Sequence, residues 1–135
     1  MGAVIPVFPD VELMLVAGLT PLMQSVLGDN GVRIVTILPA SISVPTLRIK
    51  RISGASRTIA LDRPILDFDV FWSSYGQASL VARQASASLL ALRGQILPVN
   101  GVVSNVNVVQ GPRWLPDPDP NLFRFNASYE VYTHG

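Results

Sequence analysis

The sequence predicts an α+β fold: a mainly antiparallel or mixed four-stranded sheet with helices packed on one face, plus an extended arm or hairpin. Two of its segments, "ILDFDVFW" (65–72) and the closing run Phe123, Phe125, Ala127, Tyr129, Val131, alternate bulky with polar residues at the period of a half-buried strand. Residues 75–93 instead repeat apolar side chains at helical spacing, between Ser74 and Gly94. The order of elements, helix, strand, arm with a short strand, strand, helix, strand, strand, suits a sheet covered by helices on one side.

Asp10 is placed to cap the first helix, with Glu12 in its first turn, where the helix dipole favours a negative charge. Apolar residues crowd the segment through Leu27, and Gly28 offers a left-handed stop. Thr20-Pro21 reads as a cap followed by a proline at a first helical position, so a break is expected there. "GDNG" (28–31) is a turn and "VRIVTIL" (32–38) a β-branched strand.

Residues 39–64 differ in character. Prolines, serines and Gly54 surround a short strand-like "TLRIKRI", and Arg48, Lys50, Arg51, Arg57 and Arg63 face Asp62 alone, so half of the basic charge lies on this basic arm. In the strand that follows, Leu66, Phe68, Val70 and Trp72 share one face while Asp67 and Asp69 share the other. Ser74 and Gln77 fit a capping box, with Gln77 expected to reach back to the Ser74 N–H. Val81, Ala85, Leu89 and Leu92 mark the buried stripe of this helix, and Ala78, Ala82, Ala85 and Ala87 permit close approach of another backbone. Residues 101–111 and the closing run complete the sheet. No repeat or linker divides the chain, so 1–135 is expected to form one domain.

Only 14% of the 135 residues are charged, against a usual figure of about 25%, and 49% are hydrophobic. A domain of this size has little interior in which to hide that much apolar side chain, so part of it is expected to be covered by other subunits. The apolar run Leu13–Gly28 is interrupted by Pro21 and falls short of the roughly 20 residues a spanning helix needs. The N-terminus also lacks the basic start and apolar centre of a secretory signal, and an intracellular, non-membrane protein is expected.

The sequence offers catalysis little footing. There is no cysteine, and the one histidine, His134, stands next to the terminus, a poor place to hold an imidazole between two partners. No phosphate-cradling glycine motif occurs. No catalytic residue, metal site or cofactor is assigned. Asp67 and Asp69 are close enough to share a divalent cation with further ligands, which is the basis for a different class of function, a small metal-dependent enzyme or binding domain. The plainer reading pairs them across the sheet with an arginine such as Arg124. Asp117 and Asp119, set among prolines, read as a stiff, solvent-facing lead into the last strand, and a contact on a partner is the sharper alternative. Arg48, Lys50, Arg51 and Arg57 suit a partner protein or the phosphates of DNA, although no aromatic residues interleave them for base stacking.

The passage "FDVFWSSYGQASLVARQASASLLAL" and the ending "RWLPDPDPNLFRFNASYEVYTHG" together resemble the tail terminator proteins of long-tailed bacteriophages, especially those of actinobacterial hosts. Trp114, Asp119, Phe123, Phe125, Ala127, Tyr129 and Val131 carry the likeness, which is strongest over 65–135. It implies a homo-oligomeric ring, usually of six copies, on the head-proximal end of the tail tube. Such a ring stops tube polymerisation, meets a neck protein, and lets genomic DNA pass without sequence-specific contact. Another head–tail connector is the neighbouring possibility. Subunit interfaces are expected from the small-residue helix face, at Ala78 and Ala82, or from the last strand, at Phe123, Phe125 and Tyr129.

Overall fold

The structure, a computed structural model, describes residues 10–24, 31–56, 62–97 and 101–134. Helix α1 (Val11–Met23) is followed by β1 (Arg33–Val35), β2 (Thr46–Ser56), β3 (Asp62–Trp72), α2 (Tyr75–Ala91), β4 (Gln95–Leu97), β5 (Gly101–Leu115) and β6 (Phe123–His134). The strands make one six-stranded sheet in the order β1-β2-β3-β6-β5-β4. Every neighbouring pair is antiparallel except β1 and β2, which run parallel.

The α+β class stands, but the sheet has six strands rather than four. One extra strand comes from the supposed arm. "TLRIKRI" is the first half of β2, in register with β3 from Thr46↔Phe71 to Arg51↔Leu66, so Arg48, Lys50 and Arg51 belong to the sheet. The other is β4, three residues that follow Gly94. This glycine has a positive φ of 77°, a conformation open to it at no steric cost, and it turns the chain from α2 back toward β5. Arg57 lies outside the described residues.

Helix α1 begins as expected, with the Asp10 carboxylate accepting the Leu13 N–H at 3.2 Å. It does not break at Thr20-Pro21. Pro21 sits in the last turn, and the Thr20 hydroxyl donates to the Val16 carbonyl at 2.6 Å instead of capping a new helix. Helix α2 keeps half of its capping box. Ser74 accepts the Gln77 N–H at 3.3 Å, but the Gln77 side chain accepts the Trp72 indole N–H at 2.7 Å and does not reach back.

Both helices lie on one face of the sheet and touch each other. Helix α2 covers β3, β6 and β5, while α1 reaches β1 and β2 at one margin and β4 at the other, so the sheet curls around the helical layer. Between them lies the core, built from Met14, Leu15, Leu19, Leu47, Ile49, Leu66, Phe68, Val70, Val81, Leu89, Tyr129 and Val131, among others. Phe68 and Tyr129 meet edge to face at 5.0 Å and fill the volume under α2. With such large rings on the sheet, the facing helix surface has to be small. Ala78, Ala82 and Ala85 provide it. Tyr75, at the first turn of α2, packs edge-on against Phe123 and Phe125.

The residues expected at subunit interfaces take their places within the chain's own packing. Ala78, Ala82, Phe125 and Tyr129 are buried inside the chain's own core and Phe123 packs against it, so they present little surface to a neighbour. The alanines do allow close approach, but of the chain's own sheet. Replacing Phe68 with alanine should remove the ring at the centre of this layer and destabilise the fold by about 4 kcal/mol, read as a lower urea midpoint with an unchanged slope.

Candidate functional site

On the helix-free face, β2 presents Arg48 and Lys50, β3 presents Asp67, Asp69 and Phe71, and β6 presents Arg124, Asn126, Ser128 and Glu130. Cross-strand register brings these side chains together: Arg48↔Asp69↔Asn126 and Lys50↔Asp67↔Ser128 form two rows across the sheet. The alternation that sends Leu66, Phe68 and Val70 into the core sends the charges here.

Asp69 is the hub. Its side chain is 2% exposed, and its Oδ2 accepts from Arg48 Nη2 at 2.8 Å. Its Oδ1 accepts from Arg124 Nε at 3.0 Å and from Asn126 Nδ2 at 2.9 Å. Phe71 lies in the same group, with the Arg48 and Arg124 guanidiniums over its ring at 5.6 and 5.7 Å. Burial alone would raise the Asp69 carboxyl. The hydrogen bonds from Arg48, Asn126 and Arg124 outweigh it and hold the group below its ordinary 3.8.

A second cluster lies further along the same face. Arg63 donates to Glu130 at 2.8 Å and stacks over the Tyr132 ring at 4.3 Å, and Asn107 donates to Glu130 at 3.4 Å. The Arg63 hydrogen bond is the main cause that lowers the Glu130 carboxyl, with Asn107 adding to it against the opposing effect of burial.

The carboxylate pair considered for a metal is thus engaged differently. Asp67 accepts the Ser128 hydroxyl at 2.6 Å, and both oxygens of Asp69 are held by side chains. Among the described residues no group of three or more potential ligands assembles around a cation position. Arg124 is the cross-sheet partner that the plainer sequence reading named. Arg48 and Asn126 were not foreseen as its companions, and the register of β2 with β3 is the signal that would have revealed the first of them.

The other chemistry-bearing stretch, Pro116–Pro120, is a turn organised by its own carboxylates. Asp117 Oδ1 accepts the Asp119 N–H at 2.9 Å, and Asp119 Oδ1 accepts the Asn121 N–H at 2.9 Å. Prolines at 118 and 120 have no N–H to offer, so these two carboxylates take the donors that remain.

Among the described residues both margins of the sheet are open. Strand β4 pairs with β5 only at Gly101–Val103, so from Ser104 to Leu115 no described strand lies along the outer edge of β5. This edge exposes Val108, Val109 and Trp114, each about half accessible. On the far side β1 covers only Thr46–Arg48, and β2 runs on from Ile49 with its outer edge unpaired by any described strand. There the Glu12 carboxylate of α1 accepts the Arg51 N–H at 3.2 Å. Helix α1 adds exposed Leu13 and Leu22 to the apolar surface. No described helix is long and apolar enough to cross a membrane.

No protein-family model matches the chain, and no curated protein matches it. Among solved structures it is similar to a chain of a particle described as "Virion of native gene transfer agent (GTA) particle". The TM-score is 0.49 at 12% identity, and the match covers 82% of this chain and 82% of that one. A likeness at that level says nothing about function.

Asp69→Asn keeps the shape of the hub and removes its charge, leaving two arginines without a counter-ion. The expected loss is about 3 kcal/mol at neutral pH. Because the folded carboxyl is held below 3.8, its contribution is complete above the ordinary carboxylate range and disappears as pH falls through the folded value. Urea unfolding at pH 7 and under progressively more acid conditions should therefore show the gap between wild type and variant closing in acid; a gap independent of pH would contradict the assignment.

Proposed function

We propose that this chain is a structural virion protein of a phage-like tail: a tail terminator whose copies form a ring on the head-proximal end of the tube. The ring stops tube polymerisation and joins the tail to the neck. The observation that carries the proposal is the pair of strand edges, at opposite margins of one sheet, that no described strand covers. A lone open edge invites uncontrolled pairing. Two different edges on one subunit allow a front-to-back contact, the heterologous kind from which rings close.

The topology gives this contact a direction. Three antiparallel steps separate β2 from β5, so the two strands run antiparallel within the chain. A neighbour related by rotation about an axis along the strands keeps the same strand directions. The β5 edge of one copy therefore meets the β2 edge of the next in antiparallel sense, and Val108, Val109 and Trp114 are covered at the joint. Helices then form one wall of the ring and the polar face the other. The polar wall suits a water-filled passage for DNA, because Asp69 and Glu130 are already neutralised by Arg48, Arg124 and Arg63, while Arg113 stays exposed. The ring of six, the tube protein and the neck protein as partners, and the virion location follow from the sequence resemblance.

Light scattering on the purified protein, alone and mixed with purified tails, tests the proposal. A discrete closed ring, or stoichiometric capture at one tail end, is the expected result; a monomer that ignores tails at high concentration overturns it. Val108→Asp combined with Val109→Asp should leave the fold within about 0.5 kcal/mol of wild type, since both side chains are exposed. The same pair should weaken assembly by about tenfold or more.

A further inference from the structure

Strand β1 leaves the side of β2 after the Val35↔Arg48 pair. Where the two part, a cleft of about 400 Å3 opens, lined by Glu12, Thr36, Ile37, Leu38, Arg48 and Lys50. Its basic groups are incompletely used. Arg48 gives Nη2 to Asp69, but its Nε is buried with no hydrogen-bond partner among the described residues. Lys50 is exposed and makes no hydrogen bond or ion pair among them. The one acid in the cleft, Glu12, accepts the Arg51 N–H.

An acidic element of matching character stands at the opposite margin of the same chain. The turn Pro116–Pro120 follows directly on Leu115, the last residue of the open β5 edge. Asp117 and Asp119 use Oδ1 for the turn's own N–H groups. The flanking prolines fix φ, so presenting this turn to a partner costs little further conformational entropy.

Strand direction brings the two elements together. When the β5 edge of one copy lies antiparallel to the open β2 edge of the next, the end of β5 at Leu115 falls beside the start of that edge at Ile49. The residues after Leu115 then run on toward the point where β1 departs, and so into the cleft. We infer that the acidic turn Pro116–Pro120 of one copy docks in the cleft between β1 and β2 of the next, with Asp117 and Asp119 facing Arg48 and Lys50. This docking rests on the ring proposed above and adds to it a charged latch. The latch fixes the register of one edge against the other, which backbone hydrogen bonds alone leave free to slip.

The test is a mutant cycle on ring assembly, with binding to purified tails as a second readout. Asp117→Asn with Asp119→Asn removes both charges and keeps the turn, because an amide oxygen still accepts the same two N–H groups. Lys50→Gln removes the exposed cation on the other side. Each change should raise the concentration for half-assembly by about fivefold, and the combination should do no worse than either alone. Wild-type assembly should weaken with added salt more steeply than that of either variant. Additive losses, or variants that assemble like wild type, overturn the latch and leave the ring proposal standing. A wild-type protein that neither forms a ring nor caps tails overturns both.

Discussion

A carboxylate taken out of water survives as an anion only where opposite charge and hydrogen bonds replace what it has lost. Asp69 meets that condition at the middle of the sheet, and much of the structure follows from how it does so. Its partners come from β2 on one side and β6 on the other, so three strands are tied at one point by groups that tolerate little displacement. Sliding β3 by one residue would turn Asp69 toward the helices and bring Phe68 out to water. Core and ion cluster therefore penalise the same error.

The helical layer solves a complementary problem of volume. Large rings at Phe68, Phe125 and Tyr129 occupy the sheet side, and alanines on α2 let the helix settle onto them. Helix α1 has no comparably polar outer side. Glu12 is its only charged residue, and Leu13 and Leu22 remain in contact with solvent. Together with the valines on β5, they account for the surplus of apolar residues in the composition: the excess lies at margins where another chain can cover it.

Much of this was legible in the sequence because it depended on local period. The alternation in 65–72 and 123–131 and the capped stripe of 75–93 each became the expected element. The pairing of Asp69 with Arg124 was also within reach, since both lie on the polar side of alternating strands. What could not be read depended on distant segments. Nothing local says that Thr46–Arg51 pairs with β3 and not with solvent, since prolines and serines around a short run look the same in an arm and in a sheet margin. Strand β4 is three residues long, too short for any period. The alanines of α2 announce a close neighbour without saying whether it belongs to the same chain. Gln77 fits a capping box by spacing alone, and only the proximity of the Trp72 indole redirects it.

The placement of β6 bears on how the protein is made. It is the last described strand in the chain, yet it lies in the interior of the sheet, between β3 and β5. During synthesis β3 and β5 emerge well before the strand that joins them, and each waits with an unpaired edge facing the gap. A nascent chain thus has no continuous sheet and no Asp69 cluster until β6 has left the ribosome. Fragments that stop short lack the strand that relates the two outer margins to each other. A complete sheet is thereby withheld until β6 has been made, a form of quality control written into strand order.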